Sequence, residues 1–161
     1  MIKPFVVSAP GKLVLSGEYA VLEGAPAIAA AVDVRAEVRV EPADQFALQV
    51  VNTGERFGFD LDGSGLLQWQ QDPGEFAGLL ETAFIVLTDN LDVIDPFVCS
   101  IDTRDFFADT ENGERTKIGV GSSAAVAVCL TAAFQLIVGQ APAMTRAMEV
   151  HADFQNQQGS G

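Results

Sequence analysis

The sharpest hydrophobic pattern in the chain spans residues 31–41. Val32, Val34, Ala36, Val38 and Val40 alternate with Asp33, Arg35, Glu37, Arg39 and Glu41, the period of an antiparallel strand with one face in a core and one in water. Upstream, residues 5–9 are apolar and rich in β-formers, Pro10-Gly11 reads as a turn, and Leu13-Val14-Leu15 reads as a second short strand. A third strand is expected to end at Gly24-Ala25-Pro26. Residues 46–51 and 56–61 continue as strands around the turn Asn52-Thr53-Gly54-Glu55, and Asp62-Gly63-Ser64-Gly65 closes the sheet region. The polar run Gln68-Trp69-Gln70-Gln71 supports no assignment; Trp69 reads as a half-buried packing residue rather than a base-stacking one.

Helical periods follow. Phe76, Leu79, Leu80, Ala83, Phe84 and Leu87 recur at three- and four-residue steps, predicting an amphipathic helix over 74–90. Residues 97–102 form a strand, and 103–115 a charged loop. Residues 124–138, rich in Ala, Leu and Val and free of Gly and Pro, predict a buried helix ended by Gly139. Pro142 suits the first turn of a further helix running to about residue 154. Strands first and helices later in one module make the fold class α+β, a mixed or antiparallel sheet packed on helices.

Composition narrows the function. Of the 161 residues, 48% are apolar, which excludes disorder as the overall description. No apolar run approaches the ~20 residues of a membrane helix, and the N-terminus lacks the pattern of a signal peptide, so a cytoplasmic protein is expected. With 22 acidic against 9 basic residues the net charge is −13, which argues against nucleic acid or an anionic membrane as partner. Cys99 and Cys129 lie in apolar segments, and with one His and no C-x-x-C they read as buried reduced thiols rather than zinc ligands.

An acidic protein that binds an anion must concentrate its few cations locally. Lys12 follows Pro10-Gly11, and Lys117 precedes Gly119-Val120-Gly121-Ser122-Ser123-Ala124-Ala125. A glycine loop opening straight into a helix gathers free N–H groups and the positive end of the helix dipole at one point, which suits a phosphate. Ser122 is expected to cap that helix. The stretch is neither a Walker loop, whose Lys follows the glycines, nor G-x-G-x-x-G, since Ala124 stands in place of the third Gly.

Two stretches together resemble the GHMP small-molecule kinases (galactokinase, homoserine, mevalonate and phosphomevalonate kinases). Pro10-Gly11-Lys12-Leu13-Val14-Leu15-Ser16-Gly17-Glu18-Tyr19 resembles their first motif, and Gly119 to Ala125 their phosphate-binding motif, in the same order. The resemblance implies an ATP-dependent kinase using Mg²⁺, with the chain as the family's N-terminal ATP-binding domain over residues 1–161. It implies that Lys117, Gly119, Gly121, Ser122, Ser123 and Ala124 bind ATP, that Ser123 also helps hold Mg²⁺, and that Lys12 is catalytic. Ser16, Glu18, Tyr19, His151 and Ser160 are implied on the substrate side. Tyr19 after Gly17-Glu18, Thr116-Lys117 before the glycines, and the run from His151 to Gly161 favour phosphomevalonate as acceptor, with mevalonate second and another kinase of the family, acting on a sugar or amino acid, third. The family's catalytic Asp would fall just past Gly161 and its C-terminal domain is not represented, so the chain alone is expected to bind nucleotide weakly and turn over poorly. A non-catalytic nucleotide- or anion-binding module is the alternative of another class. Oligomeric state is not legible.

Overall fold

Phe5–Ser16 (β1) and Ile28–Pro42 (β2) pair antiparallel over nearly their whole lengths, from Phe5 opposite Val40 to Ser16 opposite Ile28. The computed structural model describes residues 2–62, 66–74, 77–85 and 94–158. Pro10-Gly11 is therefore not a turn. β1 runs straight through it, and the irregularity is absorbed opposite, where Pro10 faces Arg35 but Gly11 faces Val32. A proline is tolerated here because β1 is an edge strand, so the missing N–H breaks no ladder. Arg35 Nε donates to Ser8 Oγ at 2.8 Å beside this register shift.

β2 next pairs with Phe97–Asp102 (β6), after which come Ala47–Val50 (β3), Arg56–Leu61 (β4) and Leu67–Trp69 (β5), giving the order β1-β2-β6-β3-β4-β5. Among the described strand pairs only β3 and β6 run parallel. The polar stretch around Trp69 is thus an edge strand, and Trp69 packs edge-on to Phe59 while its Nε1 donates to Glu81 at 2.7 Å. Because β6 meets β2 only from Glu37 to Pro42, the far half of the hairpin has no third strand beside it among the described residues. Its apolar residues Leu13, Leu15 and Ile28 are exposed accordingly. Between the two strands the expected third strand is instead a 3-10 turn, Ala20–Glu23, with Val21 N–H bonded to Gly17 C=O at 2.9 Å.

Among the described residues three helices pack with the sheet or with one another: Ala77–Phe84 (α1), Ser122–Ile137 (α2) and Met144–Gln158 (α3). α2 lies on β1 and β2 with α3 and α1 packed beyond it. Buried Ala125, Ala127, Cys129, Leu130, Ala133 and Phe134 show why this helix has no polar stripe: it is the middle of the core. Phe134 packs edge-on to Phe84 and tilted against Phe97, with centroids 5.3 and 6.1 Å away. Both cysteines are free and buried, their thiols pushed up to about 12, chiefly by burial. Pro142 precedes α3 rather than entering it; Ala143 N–H donates to Gln135 Oε1 at 3.0 Å, and the Ala143 carbonyl starts the helix. Gly139, at φ +75°, ends α2 as expected.

The charged loop before the glycines also contains structure. Residues 104–106 form a 3-10 turn, and Phe107–Asp109 (β7) pairs antiparallel with Arg115–Lys117 (β8). The expected helix over 74–90 is seen as α1, whereas Phe76 and Leu87 lie outside the described residues. No described helix is long and apolar enough to cross a membrane.

Candidate functional site

β8 delivers the chain to the two glycines. Gly119 and Gly121 stand at φ +74° and +79°, a region that side chains disfavour, so the loop turns sharply into α2. Gly121, not Ser122, occupies the position before the helix, and no side chain caps it. Ser122 is already helical and buried. The first helical bond runs from Ala125 N–H to Gly121 C=O at 3.1 Å. The amides of Ser122, Ser123 and Ala124 therefore precede the ladder and face outward at the positive end of the dipole, without an acidic residue in the first turn. A serine cap would have consumed one of these donors; the glycine leaves them for a ligand.

Lys12 lies against this loop. Its N–H, pointing off the free edge of β1, donates to Val120 C=O at 2.7 Å. Its alkyl stem crosses the face of Gly121, where a Cβ would fall 2.8 Å from Lys12 Cγ. Lys117, on the other side of the loop, lines a groove of about 440 Å³ together with Ser122 and Ser123. Val50, Leu79, Ile101, Phe107 and Val126 supply its apolar wall, and Thr103 and Gln155 its polar rim. The loop carrying Thr103 is tied down, since Thr103 N–H donates to Asn52 Oδ1 at 3.0 Å. The site thus combines a flat apolar slot with an anion-seeking helix mouth.

Charge is distributed to match. Arg104 is spent on Asp102, with three contacts between 2.7 and 3.1 Å, and this hydrogen bonding holds the Asp102 carboxyl below its ordinary range. Arg115 pairs with Asp109 and Arg146 with Glu149. Among the described residues neither Lys12 nor Lys117 enters an ion pair, which leaves both ammonium groups for a ligand.

His151, on α3 one turn before the groove residues Phe154 and Gln155, has a shielded Nε2 with no hydrogen-bond partner. Burial lowers its pKa, and the Lys12 charge lowers it further. Ser16, Glu18 and Tyr19 lie instead on the projecting end of the hairpin, all exposed, and do not line the groove. Ser160 lies outside the described residues. Sequence reasoning missed the groove wall. Val50, Ile101 and Phe107 are strand residues whose pattern cannot be told from core.

The donor set can be tested against Mg²⁺. Ser123 offers one neutral oxygen beside the free amides, and no group of three His, Cys, Asp or Glu converges among the described residues. Such a set fits an ion held mainly by phosphates and water, with a single hydroxyl contributed by protein.

No family profile matches the chain. Mevalonate kinase from Bos taurus is 39% identical over 64 residues, which cover 38% of this chain and 16% of that protein. A crystal structure of the Lin0012 protein from Listeria innocua superposes with a TM-score of 0.72 at 27% identity, covering 99% of this chain and 44% of the other. Phosphomevalonate kinase from Streptococcus pneumoniae, in complex with phosphomevalonate and AMPPNP, superposes with a TM-score of 0.66 at 20% identity over 96% of this chain and 43% of the other. The chain thus spans less than half the length of these proteins.

Proposed function

Since the chain has the α+β fold of the N-terminal part of the GHMP-family kinases, we propose that it provides the ATP-phosphate side of a small-molecule kinase site. One observation carries this reading: Lys12 is bonded to the glycine loop at Val120 and laid across Gly121, beside the open mouth of α2. The N–H groups of Ser122, Ser123 and Ala124 receive the phosphate oxygens of ATP. Lys117 adds a charge from the groove side, and the apolar slot of Val50, Ile101 and Phe107 takes the nucleobase. Lys12 contacts the transferring phosphoryl group, where its charge counts for more once water is excluded. Positioning and neutralisation are the main demands of phosphoryl transfer, and these residues meet both. Ser123 Oγ would be the protein contact for Mg²⁺, which would supply charge neutralisation at the phosphates when bound with the nucleotide.

The acceptor is an alcohol or phosphate of the mevalonate pathway. Tyr19 and Thr116-Lys117 support phosphomevalonate; the 39% identity to a mevalonate kinase supports mevalonate as the second reading. The reading is tested by calorimetric titration of the 161-residue chain with ATP and Mg²⁺, followed by ADP release with each acceptor in turn. Binding at micromolar to millimolar concentration, abolished by tripolyphosphate competition, is expected. A chain that ignores ATP at millimolar concentration while folded overturns it.

A further inference from the structure

We propose that Gly11 is a positioning residue for Lys12: its missing side chain lets the free edge of β1 lock onto the glycine loop and fixes the lysine across the mouth of α2. This deepens the proposed function and rests on it only where nucleotide is used. A Cβ on Gly11 would lie 2.7 Å from Val120 O, 2.9 Å from Phe106 Cε1 and 3.1 Å from Val32 Cγ2. The first of these is backbone and cannot rotate away. Gly11 has no positive φ, so space rather than conformational freedom is what requires a glycine here.

The same carbonyl that a Gly11 methyl would strike accepts the Lys12 N–H at 2.7 Å. Phe106 is held in turn, since its own carbonyl accepts from Ile118 N–H at 3.0 Å, just ahead of the glycines. Strand, 3-10 turn and loop therefore meet at one point, with Gly11 at its centre and Lys12 next along the strand. An alanine would wedge β1 and the loop apart and free the lysine stem from Gly121.

His151 offers a readout without ligand, because it is the chain's single histidine and senses the Lys12 charge. Of the elements packed on α3, α2 carries no charged side chain and α1 carries Glu81, which accepts from Trp69. On α3 itself Arg146 pairs with Glu149, and Asp153 is exposed. The His151 Hε1 resonance is followed by NMR through pH 4–9 in wild type, Gly11→Ala, Lys12→Met and the double variant. Both single variants are expected to raise the midpoint, and the double variant to rise no further than Lys12→Met. A Gly11→Ala midpoint equal to wild type, or a Lys12→Met midpoint that does not move, overturns the proposal.

ATP affinity supplies the second arm. Gly11→Ala should weaken binding about tenfold when Lys12 is present and less than about twofold in the Lys12→Met background, as for a lost charged contact. Equal losses in both backgrounds would show that Gly11 serves the fold alone. Wild type that does not bind ATP overturns the proposed function, while the histidine titration still decides the role of Gly11. If Gly11→Ala does not unfold cooperatively, amide exchange in wild type decides: the Lys12 N–H must exchange as slowly as the central-strand amides, and rapid exchange overturns the proposal.

Discussion

A lysine on the free edge of a strand ordinarily sweeps a wide arc of solvent. Lys12 is held because the glycine loop lies on that edge: its N–H is bonded to Val120 and its stem rests where Gly121 lacks a side chain. Lys12→Met keeps the stem and removes the charge, so the fold should survive. ATP affinity should fall by roughly 10- to 100-fold, the effect of about 1.5–3 kcal/mol for a charged hydrogen bond, as read by calorimetry. Gly121→Ala should lower stability by about 1–2 kcal/mol through its left-handed backbone alone, with a further loss of ATP affinity from displaced Lys12. His151 makes a pH prediction. Its folded pKa lies below the ordinary 6.5, so between those values the unfolded chain binds more protons than the folded one. Stability should therefore fall as pH drops through 6.5, flattening below the folded pKa. The urea midpoint of a His151→Gln variant should lose that part of the pH dependence.

At the scale of elements, α2 serves two purposes at its two ends. Its first turn is left uncapped and reaches the groove, while its middle is sealed between the sheet and α1 and α3. The Ala-rich sequence permits close approach to β1 and β2, which brings the helix mouth to the strand that carries Lys12. Phe134 is fully buried against Phe84 and Phe97. Phe134→Ala should cost about 3–5 kcal/mol, measured by denaturant unfolding with an unchanged slope. Trimming the groove rim should act differently: Gln155→Ala is expected to leave the unfolding midpoint within about 0.5 kcal/mol of wild type.

For the whole molecule, charge is the governing quantity. A net charge of −13 sets up self-repulsion in the compact state and opposes the approach of a polyanion over distances longer than a contact. Raising ionic strength from about 0.01 to 0.15 M shortens the screening length from about 30 to about 8 Å. The melting temperature should rise across that range in calorimetric scans. A melting temperature that falls with salt would mean that attractive pairs outweigh the excess of carboxylates.

The alternating valines of β2, the run of Arg56–Leu61 and the glycine-free stretch of α2 were legible in the chain because their periods are local properties of backbone geometry. So were the glycine loop before the helix and the two lysines set beside glycines, since turn chemistry and dipole direction follow from residue order. Pro10-Gly11 misled because a proline on an edge strand and a proline in a turn have the same local signature; only pairing with β2 distinguishes them. The β7–β8 hairpin was hidden in a short charged stretch, and the 3-10 turn after Gly17 in a short apolar one that reads as a strand; the conformation of both is imposed by neighbours. What tertiary structure alone decided is the meeting of Gly11 and Lys12 with Val120, distant in sequence, and the apolar groove beside them. Contact between distant segments depends on the packing of the entire sheet on α2, and no local period encodes it.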